Sequence, residues 1–270
     1  MALIQMTFVS HALMRAVPVQ VILPSDKWNP DGTLQPVKKF KTLYLLHGLW
    51  GQCTDWVTGT RIQRWAEERD LAVVMPSGDN SFYVDRPASN NLYGEFIGRE
   101  LVEMTRRMFP LSERKEDTFI GGLSMGGYGA MRNGLKYHDT FSAIAALSPA
   151  LHIFEGMAER AAVETRAFGE AIFGDLELAA KSDKNPRVLV ENLTGKKELP
   201  KIYLACGTGD DLLPASRIFR DLMPKAGFDV TYFEGPGRHD WDFWDEQIRL
   251  VLDWLPLDDR SQGLNSGHVK

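Results

Sequence analysis

The chain has 270 residues, 44% of them hydrophobic and 25% charged, with 24 Gly, 14 Pro and 2 Cys. This near-average globular composition excludes a mostly disordered or collagen-like chain, and two cysteines exclude a disulfide-framed scaffold. A formal net charge of −5 excludes nucleic acid as the main partner, because that role needs a basic face.

In chain order, residues 1–7 are apolar but lack the basic lead-in and long hydrophobic core of a signal peptide. Residues 16–23 read as a strand at an antiparallel edge, the setting in which Pro18 is tolerated. A polar connector at 25–39 leads to strand candidates at 43–46 and 71–75, with a helical stretch at 62–69 between them. From 90 to 109, Leu92, Phe96, Leu101, Met104 and Met108 recur at near-helical spacing until Pro110 stops the helix. Residues 118–120 form a short strand that runs into a glycine cluster. Further strands are expected at 143–147, 202–206 and 230–233, and helices at 125–137, 213–223 and 241–255.

Strands alternating with helices of this length predict βαβ units and a mostly parallel sheet. Residues 150–198 interrupt the rhythm with an insertion rich in Glu, Lys, Arg and Ala that holds one or two helices. Coming after a strand, it is placed beside the carboxyl edge of the sheet, where ligands bind. Residues 1–260 are expected to form a single domain, because the candidate site residues below must share one sheet. Residues 261–270 form a polar, flexible tail.

No stretch reaches the roughly 18–20 apolar residues that cross a bilayer, so no membrane partner is expected. Cys53 and Cys206 read as free thiols of a reducing compartment, which points to the cytoplasm. Nothing at this level fixes the oligomeric state, and a homo-oligomer stays open.

The chemistry concentrates at Gly122-Leu123-Ser124-Met125-Gly126, a G-x-S-x-G pattern directly after a strand and before a helix. A nucleophile on such an elbow holds a strained backbone, and a Cβ two residues to either side would collide with the turn. A serine hydroxyl at neutral pH needs a base at hydrogen-bond distance, and the chain order expected here is Ser, then Asp or Glu, then His. His11 and His47 precede Ser124. His138 ends the next helix, His152 lies in the insertion and His268 in the tail. His239 remains, in a loop at the carboxyl end of the strand at 230–233. After the strand at 202–206, Asp210 and Asp211 offer two adjacent carboxylates, one for the imidazole and one to cap the next helix; spacing does not choose between them.

The amides of Met125 and Leu49 are the candidate oxyanion donors. His47 is expected to fix the loop that carries Leu49. No His/Cys cluster with ligand spacing occurs, so neither a metal nor another cofactor is expected.

Four segments carry a family resemblance: His47-Gly48-Leu49-Trp50-Gly51, residues 121–129, Cys206-Gly207-Thr208-Gly209-Asp210 and His239-Asp240-Trp241-Asp242-Phe243-Trp244. Together they resemble the tributyrin esterase branch of the esterase D family, which includes S-formylglutathione hydrolases, feruloyl and acetylxylan esterases and mycolyltransferases. The likeness runs from about residue 5 to 257, and its H-x-W-x-x-W ending is the most specific element. It implies an α/β-hydrolase fold and a serine esterase acting on short-chain acyl esters or acetylated carbohydrates, with Ser124 as nucleophile, His239 as base and Asp210 as acid. Gly209 and Asp211 depart from the residues common in relatives. Trp50 and Trp241, with Tyr83 at the pocket mouth, are the expected substrate contacts. Thioester hydrolysis or acyl transfer on the same residues is the first alternative, and a non-catalytic binding protein with this fold the second.

Overall fold

The computed structural model describes residues 1–29, 31–154 and 166–257. Short apolar runs buried on both faces become the central strands. Among them β3 (Thr42–Leu46), β4 (Ala72–Pro76), β7 (Thr118–Leu123) and β8 (Ala143–Leu147) are buried at every position. They join β1 (Ala2–Ser10), β2 (Arg15–Leu23), β9 (Lys201–Gly207) and β10 (Val230–Gly235) in one sheet of order β1-β2-β4-β3-β7-β8-β9-β10. β4 through β10 pair in parallel, and β1 and β2 are antiparallel additions. Two short strands, β5 (Asp85–Arg86) and β6 (Asn91–Leu92), pair separately.

The side-chain period of two along each strand sends alternate residues to two helix layers. Leu43 and Leu45 face a core shared with α1 (Asp55–Gly59), α2 (Ile62–Glu68) and α10 (Trp241–Trp254). Tyr44 and Leu46 face the other side. There α3 (Tyr93–Glu95) continues through a π-helical turn, Phe96–Glu100, into α4 (Leu101–Met108). The same layer holds α5 (Met125–Lys136) and α9 (Leu213–Leu222).

Three expectations change. The edge strand is β1, so β2 is internal, between β1 and β4. Pro18 is nevertheless accommodated: its carbonyl accepts from Ser77 N just beyond the end of β4. A strand residue's N–H and C=O point the same way, so the missing donor lies on that side and β1 loses no bond. The strand expected at 118–120 runs on to Leu123, because the glycines at 121 and 122 are part of it. The insertion holds three α-helices among the described residues, α6 (Arg166–Phe173), α7 (Leu176–Ala180) and α8 (Pro186–Leu193), after a 3-10 turn at Leu151–Phe154. The tail expected at 261–270 lies outside the described residues, as do residues 155–165 within the insertion. Cys53 and Cys206 are both buried and free.

Candidate active site

Ser124 sits between β7 and α5 with φ 55° and ψ −117°, a backbone that L-residues rarely adopt. The bend brings strand and helix so close that a Cβ on Gly122 would overlap the Gly126 carbonyl, and one on Gly126 the Leu46 carbonyl. Both G-x-S-x-G glycines are therefore required by space. The surroundings hold the bend from both ends: Ser124 N donates to the Leu147 carbonyl (2.9 Å), and its own carbonyl accepts from Tyr128 N (3.0 Å) and Ala150 N (3.1 Å).

His239 lies in the loop between β10 and α10, and Asp210 in the loop after β9. The two loops are laced together beyond their strands, Thr208 N to the Gly235 carbonyl (2.8 Å) and Gly209 N to the Gly237 carbonyl (2.9 Å). A Cβ at residue 209 would stand 3.1 Å from the Gly237 carbonyl oxygen, so glycine suits this close approach. His239 Nε2 is 2.9 Å from Ser124 Oγ, and Nδ1 is 2.8 Å from Asp210 Oδ2. Asp210 Oδ1 also accepts from Leu212 N (2.9 Å). Asp210 is therefore both the partner of the imidazole and the acceptor at the start of α9. Asp211, expected to take one of these parts, is exposed. Burial alone would push the Asp210 carboxyl up. The hydrogen bond and charge of His239, the Leu212 N–H and the Ser148 hydroxyl outweigh it and hold the carboxyl below the usual range.

The two expected oxyanion donors, Met125 and Leu49, lie on the segments that flank the serine. Met125 opens α5, where helix geometry leaves its N–H without an intrahelical partner. Leu49 follows Gly48, where a Cβ would lie 3.5 Å from Ser124 Cβ, so this loop runs directly against the serine.

The turn after β4 holds that loop from behind. Gly78 N donates to His47 Nε2 (2.8 Å), Cys53 N to Ser77 Oγ (3.1 Å), and Trp50 N to Asn80 Oδ1 (2.7 Å). His47 Nδ1 donates to the Gly48 carbonyl (2.7 Å), so this imidazole is a clamp in one neutral tautomer. Burial pushes it below the ordinary histidine range, against the opposing pull of the Gly48 carbonyl, Asp55 and Asp79.

Tyr83 corrects an expectation. It is fully buried, and its hydroxyl donates to the His47 carbonyl (3.0 Å), so it braces the loop and does not stand at a pocket mouth. Trp50 is 76% exposed with φ 61°, an apolar surface next to Leu49. Trp241 is half-buried, set edge-to-face between Trp56 (5.7 Å) and Trp244 (5.3 Å). Sequence reasoning passed over Ser77, Gly78 and Asn80, since nothing in their local pattern reports contacts with a loop about thirty residues away.

A mostly parallel sheet with this strand order, a G-x-S-x-G bend after β7 and a Ser–His–Asp hydrogen-bonded chain at its carboxyl edge define a hydrolase of the α/β-hydrolase type. Residues 10–254 match the family model "Putative esterase", and the chain belongs to that esterase family. It is 43% identical over 263 residues to an acetyl esterase of Caldicellulosiruptor saccharolyticus, covering 94% of this chain and 98% of that protein. Among solved structures it is similar to the fluorophosphonate-binding serine hydrolase FphF of Staphylococcus aureus. That likeness has 31% identity and TM-score 0.82 over 95% of this chain and 99% of that one. An S-formylglutathione hydrolase (FrmB) from the same organism gives 32% identity and TM-score 0.80 over 94% and 98%. The chain is a carboxylic ester hydrolase. No helix among the described residues is long and apolar enough to cross a membrane.

Proposed function

We propose that the chain hydrolyses short-chain acyl esters through an acyl-enzyme formed on Ser124. The carrying observation is the unbroken chain from Ser124 Oγ through His239 to Asp210, at 2.9 and 2.8 Å. Ser124 attacks the acyl carbon while His239 Nε2 takes its proton, and Asp210 holds the imidazole in the tautomer that leaves Nε2 free to accept. The amides of Leu49 and Met125 stabilise the oxyanion, and the protonated His239 returns its proton to the departing alcohol. Water, activated by the same imidazole, then releases the acid. The exposed Trp50 indole beside the oxyanion loop offers an apolar face to a short acyl chain or a sugar ring.

Likeness to an acetyl esterase favours acetyl and other short acyl groups, acetylated carbohydrates and tributyrin among them. Likeness to an S-formylglutathione hydrolase favours a second reading, a thioesterase on the same residues. The two buried free thiols suit a cytoplasmic setting for either. Ser124→Ala is expected to lower p-nitrophenyl acetate turnover by about 10⁴-fold or more with the melting temperature retained. Surviving turnover would overturn the assignment. An acyl-length series run beside acetylated sugars and S-formylglutathione separates the two readings by their kcat/KM.

A further inference from the structure

The H-x-W-x-x-W ending includes a tryptophan, Trp244, that the mechanism above does not use. Its ring stands edge-on to the His239 imidazole, with centroids 4.9 Å apart and an interplanar angle of 86°. Its indole Nε1 reaches across to β8, where it lies 3.3 Å from Ser148 Oγ. Ser148 is fully buried one residue past the end of β8, at φ 44°, with its N–H donated to the Ala205 carbonyl (2.7 Å). An indole nitrogen can only donate a hydrogen bond. Ser148 Oγ is therefore the acceptor, and its own proton is left to donate.

The hydroxyl acts on two neighbouring groups, lowering both the Asp210 carboxyl and the Cys206 thiol. Burial pushes the Cys206 thiol up to about 12, so it remains a neutral, weak acceptor. The carboxylate is the stronger acceptor, and it still has lone pairs beyond those used by His239 and Leu212 N.

We propose that Trp244 and Ser148 form a positioning pair for the acid and base: the indole ring fixes the imidazole plane, and the indole N–H turns the Ser148 hydroxyl onto Asp210. One side chain of α10 thereby ties the end of β8 to both loops that carry His239 and Asp210. Neither residue touches the reacting atoms, and both act through His239 and Asp210. The inference rests on the Ser124–His239–Asp210 reading, and its test is separable from that of the triad.

Ser148→Ala and Ser148→Gly both remove the hydroxyl, and glycine also adopts the positive φ without strain. Each is expected to lower kcat roughly tenfold with KM within about twofold, the scale of losing one hydrogen bond to a charged group. Trp244→Phe keeps a ring against the imidazole but deletes the N–H, and is expected to give a similar loss. Combining it with Ser148→Ala is expected to lose little more, because the two act in series.

The decisive arm is the Asp210→Asn background. With the carboxylate gone, Ser148→Ala should cost nothing further, whereas a merely structural loss would persist. Single variants within twofold of the parent, or an undiminished tenfold loss in the Asp210→Asn background, would overturn the proposal. Ser124→Ala run in parallel keeps the two readings apart. Hydrolysis surviving in Ser124→Ala overturns the triad. An inactive Ser124→Ala beside unaffected Ser148 variants overturns only the positioning pair.

Discussion

Asp210 and Asp211 are neighbours in one turn, and their surroundings give them opposite prospects. Asp210 is buried, bonded to the imidazole and held below the usual carboxylate range, while Asp211 faces solvent. Asp210→Asn is therefore expected to lower kcat by about 10³–10⁴-fold, because an amide no longer selects the tautomer that leaves Nε2 free. Asp211→Asn is expected to stay within about twofold, and steady-state kinetics on p-nitrophenyl acetate measures both. Equal losses would remove Asp210 from its role. The same comparison marks what local sequence contains. Loop position singles out His239 as the candidate base, yet it leaves the two aspartates open. The choice depends on where a turn aims each side chain, and the family likeness supplied what spacing lacked.

At the scale of elements, the loop after β3 and the turn after β4 form one preorganised unit, with His47 as its clamp. The clamp needs the neutral imidazole: Nε2 accepts from Gly78 N and Nδ1 donates to the Gly48 carbonyl. Burial holds this imidazole below its ordinary range, so the folded chain binds fewer protons here than the unfolded one. The clamp's contribution is thus complete above pH about 6.5 and declines as the pH falls below it. His47→Gln, which can both donate and accept but does not titrate, should lower stability at pH 7. Its melting temperature should then fall less steeply than the parent's between pH 7 and 5. Parallel slopes in thermal melts would contradict the role. Asp210, with its lowered carboxyl, adds a loss only in the acid range below about pH 4, outside that window.

Legibility of the elements followed burial. β3, β4, β7 and β8 are buried on both faces and read as plain apolar runs. β1 has an exposed face that carries Leu3 and Val9 beside Gln5 and Thr7, which blurs the alternation that would have marked it. Tyr83 looked like a surface aromatic after a strand. Its positive φ and its bond to the His47 carbonyl come from tertiary packing, which no local pattern records.

Across the whole molecule, the sheet gathers residues separated by 115 positions into one hydrogen-bonded chain at its carboxyl edge. The insertion is fastened to α5, the helix that begins directly after Ser124. Arg132 of α5 is fully buried, with Nη2 2.7 Å from Asp183 Oδ2 and Nε 3.1 Å from the Asp183 carbonyl. Tyr128 of the same helix donates to the Lys184 carbonyl. Arg132→Met deletes the charged tether, and the segment at 150–198 should then be cleaved by trypsin about tenfold faster under native conditions. An unchanged cleavage rate would show that the insertion is held by other contacts. Composition disclosed the insertion itself, but not this anchor, which joins residues 51 positions apart.

The central claim, an acyl-enzyme on Ser124, is tested most directly by covalent capture. The protein is treated with a fluorophosphonate probe, digested, and the modified residue located by mass spectrometry. One adduct on Ser124, formed in step with loss of p-nitrophenyl acetate hydrolysis and absent from Ser124→Ala, is the expected result. Complete inactivation with Ser124 unmodified, or hydrolysis persisting after full labelling of Ser124, would contradict it.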